Sequence, residues 1–210
     1  GKKFIITGGP TREALDPVRF ISNHSSGKMS YALSTEAVAA GAQVTLISGP
    51  VNIDTPDRVR RIDVITANEM LDATLANIDG ADVFISVAAV ADYRPRDIAP
   101  QKIKKKDDEL QLTLVKTPDI ISEVANLEHR PLIVGFAAET ADILENGRKK
   151  LEQKNMDLLF ANNASKTFDS ETIAVTAISA KQEKQWPESN KNVVARKMLK
   201  LVAAQLNQMI

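Results

Sequence analysis

Residues 3–10 read KFIITGGP, three apolar residues and a threonine behind a lysine, closed by two glycines and a proline. Lys3–Thr7 predicts a short buried strand, and Gly8-Gly9-Pro10 predicts the turn that ends it. The same punctuation recurs along the chain. Gln43–Ser48 (QVTLIS) is a second apolar run, closed by Gly49-Pro50. Ile62–Ile65, Asp82–Val87 (DVFISV), Leu110–Val115, Pro131–Phe136 (PLIVGF), Asp157–Ala161 and Thr172–Ser179 are further strand candidates. Helical stretches fall between them. Lys28–Ala40 precedes Gly41, where a helix-terminating glycine belongs. Thr66-Ala-Asn-Glu69 has the spacing of a capping box and opens a helix to about Ile78. Thr117-Pro118-Asp119 predicts another start, with Thr117 as cap and Pro118 at the first helical position. Ala141–Lys154 and Val193–Met209 complete the helices.

Strands that are continuous apolar runs are buried on both faces, and strands alternating with helices pair in parallel. The expected fold is therefore α/β, a doubly wound, Rossmann-like, mostly parallel sheet with helices on both faces. One domain spanning residues 1–210 is expected, with an elaborated C-terminal half.

Composition narrows the chemistry. Lys plus Arg and Asp plus Glu both number 27, so no bulk charge draws the chain to nucleic acid or membrane, and any anion site must be local. There are no cysteines and only two histidines, His24 and His129, which removes disulfides, thiol nucleophiles and Cys- or His-rich metal cages. No stretch approaches the roughly 20 apolar residues of a membrane span. The first residue is Gly1, not Met, which fits either a mature fragment or a domain cut from a longer protein.

Ligands of an open α/β sheet bind beyond the carboxyl ends of its strands. Four segments fall there: Gly8–Arg12, Asn23–Met29, Ala88–Tyr93 and Phe136–Thr140. Gly8-Gly9-Pro10-Thr11 reads either as a tight turn or as a phosphate loop with exposed N–H groups. It lacks the G-x-G-x-x-G spacing of dinucleotide binders. Ser25-Ser26-Gly27-Lys28 precedes a helix and suits an anion. It is no Walker loop, because Ser22 stands where the first glycine belongs and Met29 follows the lysine. The run Lys102, Lys104, Lys105, Lys106 lies in a Pro-flanked stretch, Arg94–Glu109, that reads as a long loop. Such a run is commonly a solvated surface. With 4% aromatics overall and none in the run, base stacking is a poor alternative, and a flap closing on a polyphosphate fits better.

Three readings stand at this point. A nicotinamide-dependent oxidoreductase would need the glycine fingerprint or a Tyr-x-x-x-Lys pair, yet Asp97 follows Tyr93 and Thr35 follows Tyr31 at that spacing. A non-catalytic nucleotide or nucleic-acid module would use the basic run. The third rests on resemblance. GGPTREALDPVRFISNHSSGKM (8–29), AAVADYRP (88–95), KIKKK (102–106), KTPDII (116–121) and VGFAAET (134–140) occur in an order and spacing that resemble the bacterial phosphopantothenoylcysteine synthetases. The match runs from Lys3 to about Asn163, and the part from about Lys166 adds little. Ser30 departs from the pattern, standing where a glycine is expected.

The resemblance implies a cytoplasmic ligase of coenzyme A biosynthesis. It would join 4'-phosphopantothenate and L-cysteine through an acyl-cytidylate, with CTP as co-substrate and Mg2+ accompanying the triphosphate. It also implies a homodimer and fusion to a flavin-dependent decarboxylase in the full-length protein. Residue by residue, Ser86, Val87, Ala88, Asp92, Pro118, Asp119, Ile120, Ile121, Phe136, Lys150 and Lys154 would contact the nucleotide. Lys102 would act on the triphosphate, and Asn23 would hold the pantothenoyl carboxylate or acyl carbonyl. Gly9, Pro10, Thr11, Ser25, Ser26, Gly27 and Lys28 would line the phosphate and substrate region. Taken singly, Phe136 reads as core, and Lys150 and Lys154 read as a solvated helix face.

Overall fold

The computed structural model describes residues 1–105, 109–139, 142–163 and 170–208. Lys106, Thr140, Ala141, Met209 and the stretch from Lys166 to Asp169 lie outside them. The elements run β1 (Lys3–Gly8), β2 (Glu13–Ala14), β3 (Phe20–Ile21), α1 (Lys28–Ala39), β4 (Gln43–Ser48), β5 (Val59–Asp63), α2 (Ala67–Asn77) and β6 (Val83–Ser86). They continue with β7 (Tyr93–Pro95), β8 (Leu114–Lys116), α3 (Ile120–Ala125), β9 (Leu132–Glu139), α4 (Ile143–Gln153), β10 (Leu158–Asn163), β11 (Thr172–Ile178), β12 (Glu183–Asn190) and α5 (Lys191–Leu206).

The large sheet has the order β12-β11-β10-β9-β6-β1-β4-β5. The six strands from β5 to β10 pair in parallel, whereas β11 and β12 are antiparallel. Counted in chain order, the parallel strands run third, second, first, fourth, fifth, sixth. The order reverses between β1 and β6, and a doubly wound sheet opens its ligand crevice at that point.

Successive residues of a strand face opposite sides, so each parallel strand feeds two cores. Ile6, Leu46, Ile85, Val134 and Phe160 meet Leu33 and Ala37 of α1 and Val194, Met198 and Val202 of α5. Ile5, Ile47, Phe84, Ile133 and Leu159 meet Met70 of α2, Val124 of α3 and Leu151 of α4. Each such fully buried side chain contributes about 1.5–3 kcal/mol relative to exposure. Two buried layers on one sheet explain why the strands carry no polar alternation.

Local chemistry sets several boundaries. The Thr66 side chain accepts from the Glu69 N–H at 3.1 Å, and the Glu69 carboxylate accepts from the Thr66 N–H at 3.4 Å, completing the expected capping box. Helix α3 corrects the sequence reading: its cap is Asp119, whose carboxylate accepts from the Ser122 N–H at 3.3 Å. Thr117 is committed elsewhere, its hydroxyl donating to the Ala91 carbonyl at 2.5 Å. The strand expected over 110–115 shrinks to β8, which pairs with β7 in a separate small sheet. The strand expected over 62–65 begins earlier, as β5. Four strands were not expected: β12, β2 and β3, which pair as a hairpin, and β7, which takes Arg94 and Pro95 from the stretch read as a long loop because they pair with Val115 and Leu114.

Ser30 stands where the resemblance led to the expectation of a glycine. It is buried on α1, and its hydroxyl donates to the Gly27 carbonyl at 2.8 Å. A Cβ on Gly8 would lie 2.0 Å from the Ser30 Oγ, so helix and strand approach as far as one missing Cβ allows. Gly8→Ala should therefore destabilise the fold by about 1–3 kcal/mol through overpacking. In a Ser30→Gly background the same change should cost much less. Urea unfolding of the four chains measures the coupling, and equal losses in both backgrounds would contradict this contact.

Candidate functional site

The crevice is built on main-chain bonds across the switch point. The Ala89 N–H donates to the Gly9 carbonyl at 2.9 Å, and the Thr11 N–H donates back to the Ala89 carbonyl at 3.3 Å. The Thr11 hydroxyl accepts from the Ala91 N–H at 3.0 Å. Asn23 joins the same group: its side-chain amide donates to the Ala89 carbonyl at 2.6 Å, and its oxygen accepts from the Ser25 N–H at 3.0 Å. The Ser22 hydroxyl donates to the Thr11 carbonyl at 2.7 Å, holding the approach to α1 against the first loop. Three of the four expected segments thus meet at Ala89, and the fourth, entered at Phe136, forms the facing wall.

Two cavities open here. The larger, about 540 Å³, is lined by Ser86, Ala88, Asp92, Pro118, Asp119, Ile120, Ile121, Phe136, Lys150 and Lys154 among others. All ten were picked out from the sequence as nucleotide contacts. The smaller, about 170 Å³, is lined by Ser25, Ser26, Gly27, Lys28, Val87 and residues of β10, β11 and α5. Ala88, Ala89, Phe136 and Ala138 line both, so the cavities share a wall. Gly27 caps α1 with φ 77°, a conformation costly for any residue with a Cβ. Gly9, Pro10 and Thr11 form the ledge beside the cavities rather than their lining. Lys102 is exposed and lies outside both linings.

Two lysines of the larger cavity are held in ion pairs. Lys150, reaching from α4, meets Glu139 of β9 at 2.5 Å, and Lys154 meets Asp119 at the start of α3 at 3.0 Å. Both lysines therefore hold carboxylates of neighbouring elements, Asp119 among them in the cavity wall, and are not simply a solvated helix face. Burial pushes the Asp119 carboxyl up, but the Lys154 ammonium and the Ser122 bonds outweigh it, leaving the group below the usual carboxylate range. Among the described residues no group of three or more His, Cys, Asp or Glu is placed to hold a metal ion.

Sequence reasoning missed Lys116, Thr117 and Met156 in the larger cavity, and Asn162, Ile173 and Lys191 in the smaller. Lys116 and Thr117 sit inside the motif KTPDII. Asn162 lies near the carboxyl end of β10, where the rule for open sheets points. Lys191 precedes the expected start of the last helix by two residues.

A depressed folded pKa means that Asp119 contributes stability above about pH 4, which fades as the pH falls below it. Lys154→Met leaves the burial and removes the ammonium, so the Asp119 pKa should rise. Carboxyl NMR titration of both chains measures it, and an unmoved pKa would show that Lys154 does not set the charge on this wall.

A family model for the C-terminal domain of DNA/pantothenate metabolism flavoproteins matches residues 1–206. The chain is 52% identical over 207 residues to the coenzyme A biosynthesis bifunctional protein CoaBC of Vibrio vulnificus, covering 96% of this chain and 52% of that protein. It is 48% identical over 202 residues to the CoaBC of Escherichia coli K12, covering 93% of this chain and 50% of that protein. The chain thus spans about half the length of the curated relatives it matches. Its fold is similar to the crystal structure of a CoaBC C-terminal domain, with TM-score 0.86, 37% identity, and coverage of 99% of this chain and 97% of that one. With nearly its whole length matched in sequence and in fold, the chain belongs to the family of the DNA/pantothenate metabolism flavoprotein C-terminal domain.

Proposed function

We propose that residues 1–210 form one CTP-dependent phosphopantothenate–cysteine ligase domain, acting in coenzyme A biosynthesis. The observation that carries this reading is the shared wall. A cavity of nucleoside size adjoins a second one at a helix N-terminus, and Asn23, which lines neither, is bonded to Ala89 of the wall they share. A nucleotide laid across Ala88 and Ala89 directs its base and ribose to Phe136, Lys150 and Lys154. Its phosphates then run toward Ser25, Ser26, Gly27 and Lys28, where helix N–H groups favour anions. Ser86, Val87, Ala88 and Asp92 offer hydrogen-bonding groups to the nucleotide, and Pro118, Asp119, Ile120 and Ile121 close the side at α3. Backbone groups at a strand end can read the amine and ring nitrogen of cytosine, which favours CTP over ATP.

Phosphopantothenate lies on the ledge of Gly9, Pro10 and Thr11, with its carboxylate toward Asn23. One carboxylate oxygen attacks the α-phosphorus, the bond to pyrophosphate breaks, and an acyl-cytidylate forms. The amine of cysteine then attacks the acyl carbon, loses a proton, and CMP leaves. The protein positions the reactants and neutralises charge, and Lys102 is the cation we assign to the triphosphate. Mg2+ would neutralise phosphate charge when bound. Such an ion commonly keeps water and binds through substrate phosphates.

The relatives are bifunctional, and we take the remainder of such a protein to be a flavin-dependent decarboxylase working in the cytoplasm. Val18, Phe20, Ile98, Leu112 and Leu114 are exposed apolar side chains on and around the two small sheets. They suit the expected homodimer.

The first step needs no cysteine. Chain, CTP, Mg2+ and 4'-phosphopantothenate should release pyrophosphate up to about one equivalent per site, and cysteine should then release CMP. Formation of CDP and inorganic phosphate would sink the acyl-cytidylate route.

Asn23→Asp replaces the amide donor with a carboxylate facing the Ala89 carbonyl. Affinity for phosphopantothenate should fall by on the order of tenfold or more while CTP binding changes little. Calorimetric titration of each ligand separates the two, and equal weakening would point to a general defect instead.

A further inference from the structure

Asp16 lies in the connection between β2 and β3, and its side chain is fully buried. One carboxylate oxygen accepts from the Val18 and Arg19 N–H groups, both at 2.8 Å. Those two bonds are all that a turn requires. The other oxygen accepts from the Arg19 guanidinium at 3.0 and 2.5 Å, and from the Ile103 N–H at 3.0 Å. The guanidinium also donates to the Ile103 carbonyl at 2.7 Å. One Asp–Arg pair thus holds both backbone groups of a residue distant in sequence. The Arg19 bonds above all, with the backbone N–H groups, keep the Asp16 carboxyl well below the usual carboxylate range despite its burial.

Ile103 follows Lys102. On the other side of Lys102, the Ala99 N–H donates to the Leu15 carbonyl at 3.0 Å. Lys102 therefore sits on a short span fastened at both ends to the β2–β3 hairpin. The same hairpin runs back to Thr11 and forward to Asn23, and both of these are bonded to Ala89. The link from crevice to Lys102 is continuous and mostly hydrogen-bonded.

We propose that Asp16 is a positioning residue: through Arg19 and Ile103 it fixes Lys102 relative to Asn23 and the crevice. A buried carboxylate is costly unless every lone pair is used. Here the second oxygen is spent on joining two loops, which folding of the hairpin alone does not need. The proposal rests on the reading of Lys102 as the cation that acts on the triphosphate. It also changes the picture of that loop, because a lysine pinned one residue away moves with the hairpin rather than as a free flap.

The clamp itself is tested without turnover. In the full chain, the Ile103 amide should exchange with solvent hydrogen far more slowly than the amides of Lys102 and Lys104, and Asp16→Asn should abolish the difference. All five partners of Asp16 are donors, so an isosteric amide faces a donor whichever way it turns. An Ile103 amide that exchanges as fast as that of Lys104 in the unaltered chain overturns the clamp, even if Asp16→Asn does not fold.

Its role in catalysis is read from a double-mutant cycle on cysteine-dependent CMP release. Asp16→Asn should lower kcat by on the order of tenfold when Lys102 is present, and change it little in a Lys102→Gln background. Equal losses in both backgrounds would make Asp16 structural only. An unchanged kcat in Asp16→Asn would overturn the positioning role. Wild-type activity in Lys102→Gln would instead overturn the assignment of Lys102, while the exchange result for Ile103 would stand.

Discussion

The crevice depends on the carbonyl and N–H of one residue, Ala89. Its N–H is bound by Gly9, and its carbonyl takes both the Thr11 N–H and the Asn23 amide. These bonds continue the pairing of β1 with β6 past the point where the regular strands end. A sheet normally releases its loops at the carboxyl edge. Here two loops remain bonded for several residues, and the approach to α1 is drawn in beside them. Backbone that is bonded in this way cannot easily collapse into the cavities, so the site keeps its shape with its walls spaced apart.

The close approach at Gly8 acts with this bridge. A Cβ there would collide with Ser30, and Gly27 takes a left-handed conformation at the start of α1. Both features bring the helix N-terminus against the end of β1, directly beside the ledge at Gly9–Thr11. The polar lining of the smaller cavity is therefore a consequence of how α1 must pack. The paired lysines of the larger cavity have a different origin. Lys150 and Lys154 lie one turn apart at the end of α4, and their carboxylate partners come from β9 and α3. Each pair spans elements that would otherwise only touch through apolar groups. A nucleotide offering oxygens in place of Glu139 and Asp119 would meet cations already oriented toward it.

What could be read from the sequence follows from how each element is buried. Strands β1, β4, β6, β9 and β10 announced themselves because both their faces are covered, which leaves an uninterrupted apolar run. Strand β12 did not. It is an edge strand of sequence EKQWPESN in which Trp186 is the one buried residue, and Pro187 is tolerated because the edge needs no donor there. Strands of two or three residues, such as β2 and β7, are too short to carry a period. At the start of α3, Thr117 and Asp119 both have capping chemistry, and a local rule chose the first. The choice was settled by a distant acceptor, the Ala91 carbonyl, which no local pattern reveals. The basic loop is a similar case. Its charge was visible, but its tether to Asp16 joins residues far apart in the chain. Most of the candidate nucleotide contacts were legible through resemblance rather than through pattern, since Phe136 and Lys150 look ordinary by themselves.

The C-terminal part contributed least to recognition, yet the packing gives it a definite task. Strands β11 and β12 reverse the sense of the sheet and extend it past β10. Trp186 packs against Phe160 with ring centroids 5.9 Å apart, fixing this extension to the last parallel strand. Helix α5 then returns across the face that α1 covers, and Arg196 forms two bonds to Glu36 of α1, at 2.8 and 3.0 Å. Five residues earlier, at the start of α5, Lys191 joins Ile173 of β11 in the wall of the smaller cavity, opposite the start of α1. The extension therefore supports α1 from behind and supplies one wall of the pocket in front of its N-terminus. A parallel sheet ending at β10 would leave that side of the pocket open to solvent, and interactions with an anion there would be weakened by water. Removing water from the far side of a helix N-terminus strengthens the same N–H groups without adding a donor. The antiparallel extension is thus held by packing and by pairs to distant elements, which leaves no local motif in its sequence.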